Sequence, residues 1–267
     1  MSRREVYRRR YEENHPDWKS SSFILRDLVL RETTSRTRIL DVGCGYGSGV
    51  LRPVYAAAGE TYGIDPDPIA VEKNPYIQTK VVGRVERMPF QDNLFDVVVL
   101  KWVMEHLPGP QGAFTEIWRV LKPGGKIIFL TTNVWSPYIS IVRTIPNRFH
   151  PALKQGLYGA EQGHTYPVCY RINSTKQIRK TLIGLGFQES TLAFNGDPSY
   201  MSFNSFLFKC ACGLEYLLGF PGMSHMKVHL IGLFEKNASS DRHDESREKP
   251  TKGKKLSRFQ MIESSDR

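Results

Sequence analysis

Residues 38–50 read "RILDVGCGYGSGV", an apolar run, one acid and four glycines within thirteen positions. Bare backbone at this density follows a strand where a ligand has to approach the main chain, and the helix that starts behind it offers that ligand free N–H groups. Asp65 lies 22 positions beyond Gly43, at the end of "TYGID". An acid placed there accepts hydrogen bonds from both hydroxyls of a ribose. Glycine loop, helix start and acid together describe a nucleoside clamp.

Working outward, the apolar runs "TRILDVG", "TYGID", "TKVVGRV", "FDVVVLKWV" and "GKIIFLTT" read as strands. Helical "GVLRPVYAAAGE", "PDPIAVEKNP" and "PQGAFTEIWRVL" fall among them, with Gly59 suiting the end of the first. Strands that are continuously apolar belong to a parallel sheet covered on both faces, so the pattern predicts a doubly wound α/β fold. Downstream, "INSTKQIRKTLIGLGF" predicts a helix capped by Ser174 or Asn173, followed by strands in "QESTLAFN" and "KVHLIGLFEK". Between those strands, Tyr200 to Phe220 is apolar and aromatic, too short to span a bilayer but long enough to cover a site. The expected organisation is a helical cap over 1–36, one domain over 37–236 with substrate-cover insertions at about 134–170 and 196–224, and a disordered polar tail over 237–267.

Composition narrows the setting. No apolar run approaches a membrane span, and the basic start "MSRREVYRRRYEENHPDW" has no apolar segment after it, so a cytoplasmic protein is the expectation. Cys44, Cys169, Cys210 and Cys212 show neither metal-ligand nor disulfide-framework spacing. The formal charge of +10 suits nucleic acid, an anionic substrate or an anionic surface. Seven Lys or Arg stand against two Glu between Pro137 and Ser190, without the aromatic interleaving of a strand-binding platform.

Nicotinamide dinucleotides and S-adenosylmethionine both present a ribose to such a clamp. A dinucleotide fingerprint wants G-x-G-x-x-G, and its third position here is Ser48, while the glycines continue through Gly47 and Gly49. Asp41 would repel a pyrophosphate but suits the positively charged amino group of a methionine. Both points favour S-adenosylmethionine.

In order and spacing, "ILDVGCGYG", "GIDPDP", "ERMPFQDNLFDVVVLKWVMEHL" and "RVLKPGGKIIF" resemble the motif series of class I S-adenosylmethionine-dependent methyltransferases, over roughly Thr37 to Asn133. "HTYPVCYRINSTKQIRKTLIGLGF" is similar to the stretch before the final hairpin of small-molecule members of the methyltransferase 11 branch. The resemblance implies a Rossmann-like sheet of seven strands in the order 3-2-1-4-5-7-6 with helices on both faces. It implies that Asp41 and the backbone of Gly43 and Gly45 hold the methionine part, that Asp65 holds the ribose and that Pro66 lies against the adenine. The family's next contact is an Asp accepting from the adenine amino group. That position is Arg84, an amine-repelling donor, which leaves the N–H of Val85 for a ring nitrogen. Lys101 and Trp102 would line the cofactor's reactive end.

The expected reaction is methyl transfer to a small-molecule acceptor, a hydroxyl of a hydrophobic or anionic metabolite as in secondary metabolism. A hydroxyl acceptor needs a base, and the candidates are His106, behind the fourth strand, and His164 in "EQGHTYP". Tyr166 and Tyr170 are candidate acceptor contacts. Nucleic acid is not the expected acceptor, because "KWVMEHLPGP" lacks a proline-proline pair after the fourth strand. The apolar lid and basic loop could instead rest on an anionic membrane surface. Two alternatives stand beside this reading: an NAD(P)-dependent oxidoreductase, and a non-catalytic protein that kept the fold, which Arg84 encourages.

Overall fold

The computed structural model describes residues 2–144 and 166–238. Helices α1 (Arg3–Asn14) and α2 (Ser21–Arg31) precede β1 (Arg38–Val42). There follow α3 (Arg52–Ala57), β2 (Glu60–Asp65), α4 (Pro68–Lys73), β3 (Thr79–Val82), β4 (Phe95–Lys101), α5 (Pro110–Val120), β5 (Leu121–Thr132) and α6 (Pro137–Thr144). After the gap come α7 (Thr175–Gly184), β6 (Phe187–Asn195), α8 (Ser205–Leu218) and β7 (His229–Lys236).

The seven strands run β3-β2-β1-β4-β5-β7-β6 across one sheet. Neighbours pair in parallel as far as β5, and β7 pairs antiparallel with both β5 and β6. This is the expected order, and the final hairpin uses the two expected strands.

Alternation along each strand feeds two cores. Leu40, Val98, Leu100, Ile127 and Phe129 point to one face, where Phe114 and Ile117 of α5 and Ile178 and Leu182 of α7 cover them. Ile39, Val97, Val99, Ile128 and Leu130 point to the other, against Leu25 and Val29 of α2 and Val54 of α3. Every one of these side chains is buried, which is why the strands read as unbroken apolar runs. Pro at the start of α4 and of α5, and the Asp67 and Ser174 side chains capping α4 and α7, set where these helices begin.

One detail differs from expectation. Gly59 is not a left-handed helix stop: a side chain there would strike the Ser35 carbonyl at 2.6 Å, so close packing selects the glycine. Among the described residues, no helix is long and apolar enough to cross a membrane. Strand order reverses between β1 and β4, and such a switch point opens a crevice at the carboxyl ends of the strands.

Candidate functional site

The chain leaves β1 through three left-handed glycines, Gly43 at φ 70°, Gly45 at 46° and Gly47 at 88°. L side chains rarely adopt these angles, and space excludes them as well. A Cβ on Gly43 would meet Val103 at 2.4 Å, and one on Gly47 would meet the Tyr76 ring at 2.7 Å. Buried Asn74 locks the loop from beneath. Its Nδ2 donates to the carbonyls of Cys44 and Gly45 at 3.2 and 3.1 Å, and its Oδ1 accepts from the Tyr76 N–H at 3.0 Å.

At Gly45 the nearest atom is instead Asp65 Oδ2, at 3.9 Å from an added Cβ, so the loop opens toward that carboxylate. Asp65 ends β2 and is buried; it accepts from the N–H groups of Gly45 at 3.0 Å and Asp67 at 2.9 Å. Asp41 lies one strand over, fully buried, with the Tyr55 hydroxyl donating to it at 2.6 Å. Burial pushes its carboxyl up to about 6, against the opposing pull of the Tyr55 bond and the Lys101 charge. An ammonium group beside it would restore the ionised form.

Pro66 follows Asp65 on the exposed edge. Val85 is buried in the loop after β3, and its N–H makes no hydrogen bond among the described residues. Arg84 turns outward, mostly exposed, and pairs with Glu86 at 3.5 Å. Its charge still reaches the rim of the site, where it acts on the Tyr166 phenol.

The far wall starts where β4 ends. Trp102 sits at φ 60°, an uncommon conformation for a bulky residue and one that clusters at functional sites. It is held by its N–H on the Leu130 carbonyl at 2.9 Å and by edge contact with the His229 ring at 4.8 Å. The turn Met104–His106 follows. Residues 166–170 run beside it, with the Cys169 and Tyr170 N–H groups on the Glu105 carbonyl. His106 Nδ1 lies 3.0 Å from the Pro167 carbonyl, and since a carbonyl only accepts, Nδ1 carries the proton and Nε2 the lone pair. The Tyr166 ring stands 6.2 Å from that imidazole and its hydroxyl donates to Asp65 Oδ1 at 3.4 Å, bridging the two walls.

Beneath this wall lie two buried polar networks that local sequence patterns do not announce. Glu105 accepts from Thr131 at 2.8 Å, and Thr131 from Asn173 at 2.7 Å. Burial raises the Glu105 carboxyl above its ordinary range. In the second network, Asp197 faces Arg4 at 3.1 Å and Arg8 at 2.9 Å, and the Arg4 guanidinium also lies 4.4 Å over the Tyr200 ring. His229 bonds Ser21 at 2.7 Å and Tyr200 at 3.2 Å. Burial pushes this imidazole down to about 3 and keeps it neutral.

Asp41, Gly43, Gly45, Asp65, Pro66, Val85, Lys101 and His106 thus share the carboxyl edge of the sheet. His164 lies outside the described residues. Sequence reasoning missed Asn74, whose role rests on a bond across 29 positions to the loop, and Tyr55, one turn past the loop on α3. It also missed Asp197 and His229, whose partners lie in α1 and α2 near the start of the chain.

Sheet order, switch-point glycine loop and β2 acid define the class of fold, which is that of the class I S-adenosylmethionine-dependent methyltransferases. Residues 40–129 match the family model described as a methyltransferase domain, of the methyltransferase 11 type. A demethylmenaquinone methyltransferase of Lactiplantibacillus plantarum is 34% identical over 130 residues, 45% of this chain and 53% of that protein. A sterol 24-C-methyltransferase of Pneumocystis carinii is 26% identical over 159 residues, 56% of this chain and 39% of that protein. The chain therefore spans about half, or less, of the length of these curated relatives. Among solved structures, geranyl diphosphate C-methyltransferase from Streptomyces coelicolor, in complex with geranyl diphosphate and S-adenosyl-L-homocysteine, superposes with a TM-score of 0.55. That match covers 80% of this chain and 76% of the other at 12% identity, a likeness of fold.

Proposed function

We propose that this protein transfers a methyl group from S-adenosylmethionine to a hydrophobic small molecule. The observation that carries the reading is the Asp65 carboxylate, fixed by two backbone N–H groups beside the open face of Gly45 at the switch point. The donor and acceptor set fits the cofactor. Asp65 accepts from the ribose hydroxyls; Asp41 with the backbone of Gly43 and Gly45 takes the methionine ammonium; Pro66 and the Val85 N–H take the adenine; Lys101 and Trp102 border the reactive end. Arg84, paired outward with Glu86, removes one adenine contact without blocking the pocket.

When bound, the cofactor supplies an electrophilic methyl on a sulfonium. The protein's work is alignment in a dry crevice, and orientation of that kind is worth about 7–11 kcal/mol in favourable systems. For a hydroxyl acceptor, His106 takes the proton at Nε2, the nitrogen left basic by the Pro167 bond. Names among the relatives, sterol and demethylmenaquinone, support an apolar acceptor, and "24-C" in one of them makes carbon the competing target atom. Mass and NMR analysis of the methylated product separates oxygen from carbon. Of the expected cover segments, the described parts 134–144, 166–170 and 196–224 serve this reading as walls of the acceptor side, and 145–165 lie outside the described residues.

Thermal unfolding with S-adenosylmethionine, S-adenosylhomocysteine, NAD and NADP tests the cofactor. A ligand at about 100 times its dissociation constant stabilises the fold by roughly 2.7 kcal/mol. A shift with the adenosyl compounds alone is expected, and a shift with the dinucleotides overturns the reading. Asp65→Ala removes the acceptor of two hydroxyls and weakens S-adenosylmethionine binding by roughly 1.5–3 kcal/mol. Unchanged affinity in a folded variant, measured by titration calorimetry, removes Asp65 from the site.

A further inference from the structure

Helix α8 (Ser205–Leu218) buries one face and leaves the other apolar. Phe208, Ala211 and Leu218 pack inward, Ala211 within a small cluster that includes Tyr138 and Ile139 of α6. Soluble surface helices normally turn polar residues to the opposite side. Here the outer positions are Phe206, 73% exposed, Tyr216, 72%, and Leu217, 51%. Phe220, in the turn that follows, is 47% exposed and meets Tyr216 edge-on at 5.4 Å. From Phe206 to Leu217 this stripe runs about 17 Å at the helical rise. It carries aromatic residues at both ends, with Lys209, Cys210 and Gly213 exposed between them, and its inner side is packed through Phe208, Ala211 and Leu218.

Charge decides what fits it. Lys209 stands exposed in the middle of the stripe, and Arg143 is exposed on neighbouring α6. Neither helix, nor the stretch 219–226, carries an exposed carboxylate, since Glu215 is buried. A second copy of the chain laid on this face would bring Lys209 into apolar contact with no acid opposite it, and a buried unpaired charge is costly. At a lipid surface the same lysine extends to a phosphate while aromatic rings enter the interfacial layer.

We propose that the outer face of α8 with Phe220 is a docking surface for an anionic lipid bilayer, on which the protein lies peripherally. The surface is independent of which atom the site methylates.

The test is co-sedimentation of the full chain with phosphatidylcholine vesicles, and with vesicles in which about a third of the lipid is phosphatidylglycerol. Binding to the anionic vesicles, falling with added salt, is expected. Phe206→Ser with Phe220→Ser should lower partitioning by about tenfold or more with the unfolding midpoint and circular dichroism unchanged. Lys209→Glu should lower it on anionic vesicles while leaving the weaker binding to neutral ones. The proposal fails if the unaltered chain stays in the supernatant with both vesicle types, or if the double variant partitions as well as the unaltered chain, which would assign binding to another part of the chain. It fails too if sedimentation shows a dimer, without lipid binding, that the double variant converts to a monomer. None of these readouts depends on cofactor binding, so the proposal and the methyltransferase reading stand or fall separately.

Discussion

The two walls of the crevice are built on different principles. On the β1–β2 side, the residues facing the ligand are held by backbone geometry: left-handed glycines, strand ends, and carboxylates accepting from neighbouring N–H groups. On the β4–β5 side, the wall is held by side chains brought from the two ends of the chain. Arg4 and Arg8 of α1 meet Asp197, and Ser21 of α2 meets His229 of β7. A cofactor shared by many enzymes can be gripped by backbone, whereas an acceptor particular to one enzyme needs side chains that vary. The first wall tolerates almost no change at its glycines, and the second rests on a few buried side-chain contacts.

The largest expected effect strikes the second wall. Burial alone would raise the Asp197 carboxyl, yet Arg4 and Arg8 hold it well below the ordinary carboxylate range. A carboxyl whose folded pKa is depressed contributes stability that is present above its unfolded value, about 3.9, and is lost as pH falls through the folded one. Asp197→Ala leaves two largely buried guanidinium groups without their acid, and should cost about 3–5 kcal/mol of unfolding free energy in denaturant titration. If the loss is small, α1 is a detachable cover and the second wall is weaker than its contacts suggest. If the variant folds and binds S-adenosylmethionine with undiminished affinity, the two walls are energetically independent.

The next effect belongs to the first wall. Because burial pushes Asp41 up to about 6, it is largely protonated at pH 5 in the free protein and ionised at pH 7. Its folded value lies above its unfolded one, so its contribution to stability is greatest at low pH and declines as pH rises toward 6. Methionine binding has the opposite sign, since the cofactor's ammonium needs the carboxylate. Affinity for S-adenosylmethionine should therefore fall about tenfold between pH 7 and pH 5. Asp41→Asn, which keeps a partner for Tyr55, should bind more weakly at pH 7 and show a flat profile by calorimetry. A flat profile in the unaltered chain would mean that Asp41 serves only the Tyr55 bond.

This contrast also explains how much could be read from the amino acids. The glycine loop, the apolar strands and the place of Asp65 at the end of β2 were legible because each rests on residues close in sequence, whereas the strand order was legible only through the resemblance of the motif series to a known family. Gly59 was legible as a glycine but not for its reason, which is the Ser35 carbonyl packed against it. Asn74 gave no signal, as a lone Asn in "EKNPY" reads as a turn residue until the loop it supports is in view. Asp197 and His229 were illegible in the stronger sense that their partners lie 193 and 208 positions away. Arg84 shows the converse: its identity suggested a damaged adenine pocket, and only the structure shows its side chain exposed and paired with Glu86.

The smallest effect tests a side-chain hydrogen bond that joins the walls. Tyr166 belongs to the segment running beside Glu105, yet its hydroxyl donates to Asp65 on the opposite side. Burial, and then the charges of Asp65 and Asp67, push this phenol up to about 12, so it remains a donor throughout the neutral range. On the proposed reading, a ribose hydroxyl would compete with it for the Asp65 carboxylate. The bond is long at 3.4 Å, which places its worth near the low end for hydrogen bonds, about 0.5 kcal/mol. Tyr166→Phe should therefore tighten S-adenosylmethionine binding by about twofold while leaving stability within roughly 0.5 kcal/mol of the unaltered chain. Weaker binding in the variant would reverse the relation, making Tyr166 a contact of the cofactor and the second wall a direct participant in holding it.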